Sequence, residues 1–150
     1  MEELRRTVDT QELLETYREL LKETETLPLV ITGNSMAPFL VHGRDRAWLT
    51  GVKRPLKVGD IVLYRRDSGA YILHRICRAE GDRFCLIGDA HRVIEQNIRR
   101  DQIFAVVCRV ERKGKVLAPG SFWWEFFEKI WVRIIPLRGA LARLYGMLHR

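Results

Sequence analysis

Between Leu29 and Ala118 the chain is a succession of short apolar runs, each closed by a turn signal. Candidate strands lie at 29–32, 46–50, 60–65, 70–79, 83–88, 103–110 and 115–118. Gly51, Pro55, Asp67-Ser68-Gly69, Gly81-Asp82 and Lys113-Gly114 separate them. Glycine and proline punctuation at this density leaves no room for long helices. It constrains the middle of the chain to a mainly β fold, a compact core built as an open barrel or a coiled sandwich. With 150 residues, one domain is expected, built as an N-terminal helix (1–26), a β core (27–119) and a helical tail (120–150).

The two flanks differ from the core and from each other. Leu13, Leu14, Tyr17, Leu20 and Leu21 recur at helical spacing, which predicts an amphipathic helix over 10–24 with Asp9 and Glu12 as its cap. Residues 1–26 carry eight acids and four bases, whereas residues 111–150 carry eight bases and three acids, within a chain of net charge +7. In the tail, three Trp and three Phe fall within residues 122–131, with Arg133, Arg138 and Arg143 following. Helical spacing predicts helices at about 121–134 and 137–148, broken or kinked at Pro136 and Gly139, with Glu125, Glu128 and Lys129 as a narrow polar side. Basic residues interleaved with aromatics point to an interfacial membrane surface or a protein groove. No Lys/Arg block of the nucleic-acid type occurs, so no nucleic-acid partner is expected.

Cys77, Cys85 and Cys108 lie in strand-like runs and read as buried, reduced thiols, which favours a reducing compartment; a Cys77–Cys85 bridge across a hairpin stays open. With no Cys-x-x-Cys and no His pair, neither a metal nor a cofactor is expected. Met1 to Glu25 is acidic and has no apolar centre, so no secretory signal is read there, and no run of 18 uncharged apolar residues suggests a transmembrane span. The expected location is cytoplasmic, peripheral on the inner membrane face through residues 121–148.

The residues able to do chemistry are few. Ser35 follows a strand and Gly33-Asn34, and its own N–H and neighbouring turn amides (Met36, with Pro38 shaping the turn) suit an oxyanion hole. Alone it is an ordinary turn serine. A nucleophilic serine needs a base. Of the four histidines, His42 lies in a turn and His149 is terminal, but His74 sits in Tyr71-Ile72-Leu73-His74-Arg75-Ile76. Alternation places it on the face of Ile72 and Ile76, an apolar side where most histidines are satisfied core residues. Asp89, at the end of the next strand, is placed to orient the imidazole, or simply to cap a turn.

These residues fall in a recognisable order. Gly33-Asn34-Ser35-Met36-Ala37-Pro38, Val58-Gly59-Asp60-Ile61-Val62, Leu73-His74-Arg75-Ile76 and Gly88-Asp89-Ala90 resemble the signal peptidase family over about residues 29–110. The His-Arg pair resembles its archaeal, endoplasmic-reticulum and sporulation-type branch, which carries a histidine where other members carry a lysine. The resemblance implies the family's coiled antiparallel barrel-like β fold, Ser35 as nucleophile, His74 as general base and Asp89 as the acid supporting it. A second supporting acid is implied, Glu95 by spacing or else Asp101. His91 stands where that branch commonly has Asn, Phe39 where bacterial members prefer Thr, and the family's N-terminal anchor has no counterpart here.

A neutral imidazole accepts a proton near pH 7 without the strong desolvation that a lysine needs. The expectation is therefore a serine endopeptidase acting on a leader or signal-like peptide, bound as an added strand beside 29–33 or 70–74. The alternatives are a non-catalytic peptide-binding or membrane-associated module of the same fold, and a self-cleaving regulator resembling the SOS repressors. Residues 1–26 give the last no basic helix-turn-helix.

Overall fold

Alternation becomes strand in the computed structural model, which describes residues 2–148 and, apart from 2–10, 142, 145 and 146, their side chains; His149 lies outside. Eight strands form: β1 (Leu27–Val30), β2 (Arg46–Gly51), β3 (Ile61–Arg65), β4 (Tyr71–Glu80), β5 (Arg83–Ile87), β6 (Glu95–Arg99), β7 (Ile103–Arg112) and β8 (Lys115–Leu117). All pair antiparallel in the order β1-β2-β7-β3-β4-β5-β6, with β8 on β7. The protein is thus mainly β, as expected, but β1 and β6 do not meet and the sheet is not closed into a barrel.

Register shifts in β2–β7, β3–β7, β4–β5 and β5–β6 bend the sheet. Period-two alternation then fills both of its faces. On β3, Ile61 and Leu63 enter one cluster with Leu49, Ala105 and Val107, while Val62 and Tyr64 enter a second with Ile76, Leu86 and Val106. A fully buried side chain of this size contributes about 1.5–3 kcal/mol, so the two clusters dominate stability.

Three expectations need correction. The first helix, α1 (Glu2–Leu20), starts and ends earlier than 10–24, so Asp9 lies inside it and is not a cap; residues 2–8 hold no breaker to delay it. β1 begins at Leu27 and contains Pro28, which a sheet tolerates because β1 is an edge strand. β6 was not expected, because Glu95-Gln96-Asn97-Ile98-Arg99 has almost no apolar signal; pairing with β5 and burial of Ile98 carry it.

The tail breaks around Pro136 as expected, but Gly139 stands inside a continuous helix and breaks nothing, and the first half is less regular than one helix. A helical turn, α2 (Phe122–Glu125), runs into a π-helical turn (Phe126–Ile130) and a 3₁₀ turn (Trp131–Arg133). A second 3₁₀ turn (Ile135–Leu137) leads into α3 (Arg138–Leu148). Phe127 packs 4.8 Å from the Phe39 ring, and Trp124 meets that ring edge-on at 6.2 Å. Glu128, expected on a solvated side, is instead buried and paired with Lys57. It lies against Gly59, where φ is +100° and a Cβ would collide with it. No helix among the described residues is long and apolar enough to cross a membrane. The three cysteines are free; Cys77 Sγ donates to the Cys85 carbonyl at 3.4 Å, so the bridge left open by the sequence is not formed.

Candidate active site

The four sequence motifs meet at one place. Arg75 donates from Nε and Nη2 to the two carboxylate oxygens of Asp89, each at 2.9 Å, and from Nη1 to the Gly59 carbonyl at 2.8 Å. Its guanidinium stands 5.3 Å over the Phe39 ring. Ala90 N–H donates to the Ser35 carbonyl at 3.0 Å. The turn carrying Ser35 is further held by Gly33 N–H, which donates to His42 Nδ1 at 2.8 Å.

Ser35 and His74 line one cavity of about 330 Å³. Gly88 stands between them. A Cβ there would lie 2.5 Å from the Ser35 carbonyl oxygen, 3.2 Å from His74 Nε2 and 2.8 Å from His91 Nδ1. Only a residue without a side chain lets these groups approach. No hydrogen bond joins Ser35 Oγ to His74 among the described residues; such bonds often tighten only when substrate closes the site.

His74 is 5% exposed and sits on β4 opposite Val62. Two residues along β3, on the same face, Tyr64 donates its hydroxyl to Glu95 Oε2 at 2.5 Å. The Tyr64 oxygen is then the acceptor for His74 Nδ1, at a long 3.4 Å. This arrangement assigns the proton to Nδ1 and leaves Nε2 as the free acceptor, on the side of Gly88 and Ser35. Burial, and then the neighbouring His91, push the His74 imidazole down to about 4, so it is neutral near pH 7. Burial alone would raise the Glu95 carboxyl, but hydrogen bonds from Arg66 and Tyr64 outweigh it and hold it below its usual range. The Tyr64 hydroxyl is pushed far up by burial and by Glu95, so it stays protonated and keeps its donor.

The acid expected beside the imidazole is therefore placed differently. Asp89 is fully buried, and both its oxygens are taken by Arg75 rather than His74. A buried guanidinium with five fixed donors claims the nearest carboxylate in a bidentate grip. Glu95 reaches the histidine through Tyr64. Asp101 is exposed, in the 3₁₀ turn after β6, where it pairs with Arg99 and takes no part in the cavity. Among the described residues, no backbone group accepts from the N–H of Ser35 or Met36. The Met36 side chain is buried. Pro38 has no N–H to offer, and its carbonyl accepts from Arg112.

Sequence reasoning missed Tyr64, Arg66 and the part played by Gly88, and it read His91 only as a departure from a family pattern. The His91 ring meets His74 edge-on at 5.3 Å. The β3–β4 register holds the missing signal: once the Asp67-Ser68-Gly69 turn is accepted, Tyr64 falls diagonally beside His74. The loop 88–91 is also clamped from the tail. Trp131 Nε1 donates to the Asp89 carbonyl at 2.9 Å, and buried Arg138 donates to the Gly88 and His91 carbonyls at 3.1 Å.

Strand edges that no other strand pairs with border the cavity. Pro28, lacking an N–H, occupies an outward position on β1; at period two, Val30 and Thr32 also face outward. On β4 the pairing with β5 begins at Arg75, so Tyr71 and Leu73 have an unpaired edge on the same cavity. No protein-family model matches the chain, and no curated protein matches it closely enough to count as a relative.

Proposed function

We propose that the protein is a serine endopeptidase of the signal-peptidase type, with Ser35 as nucleophile and His74 as base. The observation that carries this reading is the placement of His74: neutral, anchored at Nδ1 through Tyr64 and Glu95, with Nε2 turned to the Gly88 gap that Ser35 borders. An extended peptide lies in the cavity between the outward edges of β1 and β4 and adds a strand to each. Ser35 Oγ attacks the scissile carbonyl as His74 Nε2 takes its proton; the oxyanion is held by the N–H groups of Ser35 and Met36. The proton passes to the departing amine, leaving an acyl-Ser35 ester. Water then gives a proton to His74 and attacks the ester, and His74 returns that proton to Ser35 Oγ as the acyl group leaves as an acid.

A serine-directed fluorophosphonate tests the reading. Wild type is expected to be labelled, and Ser35→Ala and His74→Ala to lose labelling by at least about a thousandfold. Equal behaviour of all three would favour a peptide-binding module without catalysis. The tail supports a location as well. Leu137, Leu141, Leu144 and Leu148 form an exposed stripe, Phe122 is 73% exposed, and the charges exposed in α3 and the turn before it, Arg143 and Arg133, are basic. Facing copies of this stripe would oppose like charges, whereas anionic lipid would neutralise them. Co-flotation with anionic vesicles, lost with neutral ones, is expected of a chain held peripherally at a membrane.

A further inference from the structure

α1 lies across the groove in which the substrate strand is placed. Gln11 and Leu14 belong to the cavity lining. The Gln11 side-chain oxygen accepts from Tyr71 N–H at 2.7 Å, the hydrogen bond that an added strand would make to β4. On β1, whose Leu29 and Val30 line the same cavity, Tyr17 donates its hydroxyl to the Pro28 carbonyl at 2.6 Å, an outward acceptor of that strand. Glu15 accepts from the Tyr71 hydroxyl at 2.9 Å. One helix thus satisfies backbone groups on both strand edges with side chains that stand in for a peptide.

Its seat is shallow. Of the described side chains of α1, only Leu14 is buried, while Leu13 and Leu20 are 46% and 39% exposed. The helix is held to the core by Leu14, by half-buried Tyr17 and, one residue past its end, by buried Leu21, together with a few polar contacts; a unit joined to the sheet by so few side chains can open without unfolding it.

We propose that α1 is a built-in occupant of the groove, mimicking the edge bonds of a peptide and giving way when a peptide binds. This rests on the endopeptidase reading for its consequence, but the capping itself does not. An incoming chain and α1 compete for Tyr71 N–H and the Pro28 carbonyl, so the resting site is closed to strands and Ser35 is reached only through α1 opening.

The test uses the full chain and Gln11→Ala, which removes the acceptor without touching the core; Tyr17→Phe serves as a second variant at β1. Amide hydrogen exchange is followed residue by residue by NMR, alongside the rate of fluorophosphonate labelling. Tyr71 N–H is expected to be protected in wild type and to exchange at least tenfold faster in Gln11→Ala, with labelling of Ser35 accelerated severalfold in both variants. Unchanged exchange at Tyr71 overturns the cap, whatever the labelling does. Faster exchange with unchanged labelling overturns the gate. Faster exchange with no labelling of any variant supports the cap and instead defeats the endopeptidase reading.

Discussion

The carboxylates on the two sides of His74 live in opposite circumstances. Asp89, in the loop after β5, is dry and locked to an equally buried Arg75. Glu95 is half-buried, paired with an Arg66 that reaches solvent, and joined to the imidazole through a phenol. The first pair builds: it ties the turn before β3, strand β4 and the loop after β5 into one block. The second tunes, fixing which nitrogen of His74 carries the proton. Nearness in sequence to His74 did not decide which carboxylate couples to it; the competition for Asp89 by a fixed guanidinium did.

The contrast can be broken at its strongest point first. Asp89→Asn leaves Arg75 buried without a counter-charge and is expected to destabilise the fold by about 3–5 kcal/mol, measured by urea unfolding. A cost below ~1 kcal/mol would mean that the pair is no keystone. Gly88→Ala forces a methyl against the Ser35 carbonyl and His74 Nε2. Labelling of Ser35 is expected to fall about a hundredfold, with a folded chain by circular dichroism. Tyr64→Phe cuts the connection to Glu95 while keeping the ring, and is expected to slow labelling about tenfold with little change in unfolding midpoint.

The pH profile sharpens the same contrast. With His74 held near 4, labelling should persist at about pH 5.5, where an ordinary imidazole would be mostly protonated. The folded value lies below the 6.5 of a free imidazole. Between 6.5 and about 4 the unfolded chain therefore takes up a proton that the folded chain refuses. Stability contributed by a neutral His74 is complete above that window and falls as pH drops through it. The smallest effect is expected of Asp101→Asn, exposed and remote from the cavity, within about 0.5 kcal/mol and without change in labelling.

Much of this was written in the chain's alternation. Seven strands follow from apolar runs between glycine turns, because burial at period two leaves that trace. β6 left none: its outward residues are polar and only Ile98 is buried. The Ser35–His74 cavity followed from ordered motifs, yet the Tyr64–Glu95 link spans thirty-one positions and needs the β3–β4 register to be seen. The π-helical turn in the tail answers to Phe126 and Phe127 seating against Phe39 and Trp131, a three-dimensional fit that helical spacing does not encode. The limits of α1 were misjudged because Asp and Glu suit both caps and helix interiors.

Trp131 and Arg138 hold the carbonyls of the loop that places Gly88 and His91. During synthesis, Ser35 and His74 leave the ribosome well before those two clamps do. Ser35 and His74 are therefore made without the backing that fixes the loop between them, and the Gly88 gap is set only as α3 docks.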